Sequence, residues 1–148
     1  VADRFDGEYA PSPTAWVREA VERFEASGGA DALNEPGGAP IIVISNVGVR
    51  TGKIRKTPIM RIEEDGTYLG VASNGGLAEN PAWVDNIRAH PRVQLQDGPV
   101  SRTCVARELD GEERRVCWEH ALAVWPTYGD YQRMTDRRIP LFLFEPVD

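Results

Sequence analysis

Ile41-Ile42-Val43-Ile44, Ile54-Arg55-Lys56-Thr57-Pro58-Ile59-Met60-Arg61-Ile62 and Thr67-Tyr68-Leu69-Gly70-Val71-Ala72-Ser73 are three apolar runs separated by short polar breaks. The first run is β-branched and apolar throughout, the pattern of a buried strand. Gly48 to Lys53 reads as a turn, and Glu64-Asp65-Gly66 as a hairpin signal. Three strands joined by tight turns predict an antiparallel sheet, and the rest of the chain extends it. Arg92 to Gln96 alternates Val93 and Leu95 against Gln94 and Gln96, Asp97-Gly98-Pro99 turns it, and Val100 to Glu108 returns. Ile139 to Phe144 is a last strand.

Helices punctuate this sheet. Ser12-Pro13 opens an amphipathic helix carrying Trp16, Ala20 and Phe24, which Gly28-Gly29 ends. Residues 1–11 before it read as irregular, and Asn34 to Pro40 as a Gly/Pro linker. Asn80-Pro81 starts a short helix with Trp83 and Ile87, ended by His90-Pro91. Asp110 to Trp125 is a third helix, stopped by Pro126, and Tyr128 to Met134 is compact and aromatic. The order α-βββ-α-ββ-α-β predicts a mainly β fold with flanking helices, six short strands closing into a small barrel. The 148 residues make one domain. Within it, 1–35 is an irregular start plus the N-terminal helix, and 40–146 is the barrel.

Seventeen basic and 23 acidic residues leave a net charge of −6, which argues against a nucleic-acid binder. Yet Pro36 to Ile62 holds no acid and five bases: Arg50, Lys53, Arg55, Lys56 and Arg61. A glycine-containing turn with Arg, Lys and Thr side chains suits a phosphate or polycarboxylate. A solvated hairpin tip is the other reading. It is not a P-loop: three residues separate Gly48 from Gly52, and a strand follows rather than a helix. Cys104 and Cys117 lack metal or disulfide spacing, His90 and His120 stand alone, and no metal site is expected. No nucleophile–base pair is evident, so the chain is either a binder or an enzyme whose cofactor carries the chemistry. With no apolar run of membrane-spanning length, the expectation is a cytoplasmic protein without stable membrane insertion. Peripheral contact with the inner face of a membrane stays open, as does the oligomeric state.

Several separated motifs then agree. They are Thr51 to Pro58, Ala72-Ser73-Asn74-Gly75-Gly76, Asn80-Pro81-Ala82-Trp83 with Asn86, Tyr128-Gly129-Asp130-Tyr131-Gln132, Thr135-Asp136-Arg137 and Ile139-Pro140. With these motifs in order, the chain from Ile41 to Pro146 resembles the deazaflavin (coenzyme F420)-dependent nitroreductases, split-barrel reductases of actinobacteria. The resemblance implies a six-stranded split β-barrel of FMN-binding-like kind. It implies hydride transfer from reduced coenzyme F420 to an electron-poor small molecule such as a quinone, nitroaromatic or unsaturated lactone. Val49, Arg50, Thr51, Arg55 and Lys56 would hold the phosphate and acidic tail of the coenzyme. Thr57, Pro58, Ile59 and Met60 would run beside its ring. Val71, Ala72, Ser73 and Asn74 match a second contacting strand end, and Ala82, Trp83 and Asn86 match a helix beside the cofactor. Tyr128, Tyr131 and Met134 match the substrate pocket, with Tyr131 the candidate catalytic group. The alternatives are an FMN-dependent oxidoreductase on the same barrel and a non-catalytic deazaflavin carrier protein.

Overall fold

The computed structural model describes residues 7–34 and 39–147. The linker residues 35–38 and the first six residues of the irregular start lie outside that range.

The first three strands form as their pattern predicts. β2 (Ala39–Val47) pairs antiparallel with β3 (Ile54–Met60), with Ile42 opposite Ile59 and Ile44 opposite Thr57. β4 (Glu63–Glu64) and β5 (Thr67–Val71) make a hairpin whose two central residues, Asp65 and Gly66, have φ of 52° and 83°. That is the conformation a two-residue hairpin turn demands, and Gly at the second position relieves its strain. β6 (Arg92–Asp97), β7 (Val100–Glu108) and β8 (Leu141–Pro146) complete the sheet. One two-residue strand was not expected: β1 (Leu33–Asn34) pairs with the start of β2, so Asn34, Ala39 and Pro40 belong to strands rather than to a linker.

Hydrogen-bonded neighbours run β3-β2-β6-β7-β8-β5, every ladder antiparallel. β3 and β5 end this path and share no ladder among the described residues. They approach through side chains instead. Gly70 of β5 has no Cβ because one would sit 2.6 Å from the Phe144 ring and 3.6 Å from Ile59 Cδ1 of β3. The sheet therefore curls into a six-strand barrel left open along one seam, as expected, with two short extra strands at its margins.

Strand alternation sorts residues to the two faces. Inside lie Ile42, Ile44, Ile59, Tyr68, Val93, Leu95, Phe142 and Phe144. α2 (Ala82–Ala89) plugs the barrel with Trp83, Val84 and Ile87, and Trp83 meets Phe142 edge to face at 5.6 Å. α1 (Ala15–Ala26) covers the outside of β2, its Val21 and Phe24 packing on Ile41 and Val43. Each such fully buried side chain is worth about 1.5–3 kcal/mol. The buried stripe of α1 is Ala20, Val21 and Phe24. Trp16, expected on the apolar face, is 58% exposed, since it sits about a quarter of a turn from the centre of that stripe, beyond its Ala20 edge. α3 (Gly111–Val124) and α4 (Thr127–Arg133) cover the outside of β5 and β8 through Ala121 and Tyr128.

A clasp ties β6 and β5 to the residue that follows β3. Asp97 of β6 accepts from Arg61 Nε at 2.9 and 3.0 Å and from the Tyr68 hydroxyl at 2.7 Å. Burial and the Asp97 bond push the Tyr68 hydroxyl up to about 12. Burial also pushes the Asp97 carboxyl up, but the Arg61 and Tyr68 hydrogen bonds outweigh it and leave it below the ordinary value.

Candidate functional site

The turn between β2 and β3 is built from the inside of the barrel outward. Ile42, Ile44 and Asn46 share the inner face, so Asn46 is a polar residue in an apolar row and is 0% exposed. Its Oδ1 accepts from Asn86 Nδ2 of α2 at 2.7 Å. Asn86 Oδ1 in turn accepts from the Val49 N–H at 3.0 Å. That second bond fixes which way the Asn86 amide points, since only its oxygen can accept from a backbone donor. Asn46 Nδ2 is left buried without a partner among the described residues.

The turn closes on itself through Gly48 N–H to Lys53 O at 2.8 Å and Gly52 N–H to Gly48 O at 2.9 Å. Gly52 has φ of 70°, a left-handed position that suits glycine. Lys53 N–H bonds Thr51 Oγ1 at 3.1 Å. A Cβ on Gly48 would lie 3.2 Å from Thr51 Oγ1 and 3.6 Å from Arg55 Cγ, so its absence lets both side chains gather over the turn. The N–H groups of Arg50 and Thr51 take no partner among the described residues.

The five bases of the acid-free stretch separate sharply. Lys53 pairs with Glu8 at 2.9 Å, and Lys56 with Glu25 at 2.5 Å. Lys56 also sits 4.9 Å from the Tyr9 ring centroid. Arg61 belongs to the Asp97 clasp. Arg50 and Arg55 have no ion pair among the described residues. Lys56 was expected beside Arg55, yet adjacent strand residues point to opposite faces. Arg55 lies opposite Asn46 on the inner side, while Lys56 lies opposite Ser45 on the outer side beneath α1. Glu8 and Tyr9 come from a segment read as irregular, and Glu25 from α1. Ile54 N–H bonds Glu8 O at 2.8 Å, and Ala10 N–H bonds Ile54 O at 2.9 Å, laying residues 8–10 along the edge of β3.

The second candidate region, Ser73 to Asn80, is held by one residue whose role the motif alone does not disclose. Arg137 Nε donates to Leu77 O at 2.9 Å. Its Nη1 donates to Ala72 O at 3.2 Å and Asn80 Oδ1 at 2.7 Å, and its Nη2 to Ser73 O at 2.7 Å. Asn74, with φ of 48°, donates through Nδ2 to Glu79 O at 2.9 Å. A Cβ on Gly76 would meet Met134 Sδ at 2.9 Å and Tyr131 O at 3.1 Å, so this loop rests directly on α4.

The three pocket residues differ in place. Tyr128 is 5% exposed inside the outer cluster, and burial followed by the neighbouring Tyr131 pushes its hydroxyl up beyond the ordinary tyrosine range. Tyr131 is half-buried and meets Tyr128 edge to face at 6.3 Å, so Tyr128 supports it from behind. Met134 is 65% exposed. Met60 and Val71 pack into the same outer cluster across the β3–β5 seam. Trp83 is largely interior, and Ala82 is exposed at the first turn of α2. Thr57 and Pro58 are half-buried on β3, and Ile59 and Ala72 are buried. Among the described residues no group of His, Cys, Asp and Glu could hold a metal ion, and no helix is long and apolar enough to cross a membrane.

Comparison with known proteins places the whole chain rather than this site. The model of a family described as F420H(2)-dependent quinone reductase matches residues 16–146. An F420H(2)-dependent quinone reductase of Mycobacterium tuberculosis is 30% identical over 110 residues, which cover 72% of this chain and 73% of that protein. A solved F420-H2 dependent reductase is 45% identical with a TM-score of 0.68, over 72% of this chain and 94% of its own. A solved domain-swapped dimer is 43% identical with a TM-score of 0.70, over 90% of this chain and all of that one.

Proposed function

The chain belongs to the F420H(2)-dependent quinone reductase family, and from that premise we propose that it is an oxidoreductase that uses reduced coenzyme F420 to reduce quinones and similar electron-poor small molecules. The observation that carries the binding half of this reading is the state of the β2–β3 turn. Among the described residues Arg50 and Arg55 have no acidic partner, and they flank a turn whose Arg50 and Thr51 N–H groups are unengaged. Such a donor set fits a phosphate and an acidic tail. Asn86 and Asn46 anchor the turn from within the barrel, so its donors are held in place before a ligand arrives.

When bound, the reduced coenzyme supplies a hydride from its deazaflavin ring. The chain's own work is to hold and screen it. Arg50, Arg55 and Thr51 bind the anionic end. The β3 backbone from Thr57 to Met60 and the Val71 to Asn74 strand end form the two lips of the seam, and Arg137 keeps the second lip from shifting. Met60 and Val71 exclude water from the seam. Tyr131, half-exposed above the buried Tyr128, holds a proton at its hydroxyl for delivery to the reduced substrate. We place this activity in the cytoplasm.

The test is steady-state oxidation of reduced coenzyme F420, with menadione, a nitroimidazole and an unsaturated lactone offered separately. Turnover with menadione is expected, and none with reduced FMN. Tight coenzyme binding without oxidation by any acceptor would make the protein a carrier. A preference for FMN would overturn the choice of cofactor.

A further inference from the structure

A cleft of about 490 Å³ opens on the flank of α2 away from the β2–β3 turn. Asn86 faces the turn, and Arg88, two residues on, lies about 200° around the helix and lines this cleft. The other charged groups on the wall are Glu108, Asp110, Arg114, Arg137 and Arg138.

Two of the four arginines are already engaged. Arg88 grips Glu108 with two bonds, Nε at 2.9 Å and Nη2 at 2.8 Å. Arg137 has its guanidinium committed to the Ser73–Asn80 loop. Arg114 and Arg138 remain. Neither has a hydrogen-bonded acid among the described residues, and they feel each other's charge. Burial first, and Arg138 second, lower the Arg114 guanidinium below its ordinary value. Arg114 is half-buried, its guanidinium 5.9 Å from the Trp118 ring centroid, which limits where it can swing.

The negative groups nearby do not cancel this pair. Glu108 is hydrogen-bonded to Arg88, and its charge offsets only part of that of Arg114 and Arg138. In the first turn of α3, Glu112 is bonded to Arg115 and Glu113 to Arg107. The Asp110 carboxylate is engaged by no arginine among the described residues, so four guanidinium groups, Arg88, Arg114, Arg137 and Arg138, line the cleft against two carboxylates, Glu108 and Asp110. The cleft also abuts the start of α3, whose first N–H groups add partial positive charge. Two like charges held together in a recess are relieved by an anion between them.

We propose that this cleft is a second anion site, in which Arg114 and Arg138 bind a compact oxyanion, either a phosphate group or a small dicarboxylate. It stands apart from the β2–β3 turn and does not depend on the identity of the coenzyme. Arg138 directly follows Arg137, so an anion here also steadies the backbone that carries the Ser73–Asn80 loop.

The experiment is calorimetric titration of the full chain carrying Arg50→Ala and Arg55→Ala, which removes the β2–β3 turn as a competing anion site, at constant ionic strength, with inorganic phosphate in one arm and glutarate in the other. Saturable binding in at least one arm is expected, and the stronger arm identifies the chemical class. Arg138→Gln, an exposed position whose variant should unfold at the wild-type temperature, should weaken binding about tenfold or more. Arg114→Gln should do the same, and Arg23→Gln, an exposed arginine on α1 outside both sites, should leave it unchanged. No saturable binding in either arm would overturn the site. So would binding that survives Arg138→Gln, or equal weakening by Arg23→Gln, which would mark a diffuse charge effect.

Discussion

The β2–β3 turn and the exposed ion-pair network of Arg88, Arg107 and Arg115 beside β7 and α3 are both rich in arginine, and they end in opposite electrostatic states. In the network each of the three arginines has acids in reach. Arg107 bridges Glu113 and Glu145, Arg88 takes Glu108, and Arg115 takes Glu112 and Glu119. These side chains are exposed, so each pair adds little to stability. At the turn, among the described residues, Arg50 and Arg55 are left over after Lys53, Lys56 and Arg61 have found partners. A run of bases in sequence is therefore a poor marker of a ligand site. The marker is the cation that folding leaves unpaired on a rigid support.

Four outcomes break or sharpen this contrast. The largest effect is expected from removing both unpaired charges. Arg50→Ala with Arg55→Ala should weaken coenzyme F420 binding by roughly a hundredfold or more, as measured by fluorescence titration, with the unfolding temperature unchanged. Next, Asn86→Ala removes the acceptor for the Val49 N–H and strands Asn46 Oδ1. It should cost about 1–3 kcal/mol in denaturant unfolding and weaken coenzyme binding as well. A stability loss with no change in binding would show that the turn needs no anchor.

The third outcome concerns acid. The folded Asp97 carboxyl is lowered from its ordinary value of 3.8. Its contribution is therefore fully present at neutral pH, starts to fade as pH falls below that value, and is gone once pH passes its lowered folded value. Asp97→Asn should flatten this acid limb of the stability profile while leaving coenzyme affinity at neutral pH intact. The smallest effect belongs to Arg107→Ala: less than about 1 kcal/mol of stability and no change in coenzyme binding.

Much of the fold was legible because it rests on local pattern. The β-branched run at Ile41 to Ile44 and the Asp65-Gly66 turn imply paired strands on their own. Long-range placement was harder to read. Nothing near Trp16 says that Val21 rather than Trp16 faces the sheet, because both lie close to one helical stripe. The apparent excess of charge at Lys53 and Lys56 disappears only when Glu8 and Glu25 arrive from distant positions. Two signals were available and easily passed over. Strand alternation separates Arg55 from Lys56, and the same alternation places Asn46 inward in the row of Ile42 and Ile44. The work of Arg137 was not legible, since its acceptors are mostly backbone carbonyls, which carry no sequence signal.

Arg55 and Lys56 are neighbours in the chain, alike in charge and opposite in surroundings, so they make the sharpest test. Titrating coenzyme F420 into Arg55→Ala and Lys56→Ala side by side separates local charge from unpaired charge. The account predicts that Arg55→Ala loses affinity about tenfold or more while Lys56→Ala stays within about threefold of wild type. Equal losses in the two variants, or a larger loss at Lys56, would contradict it.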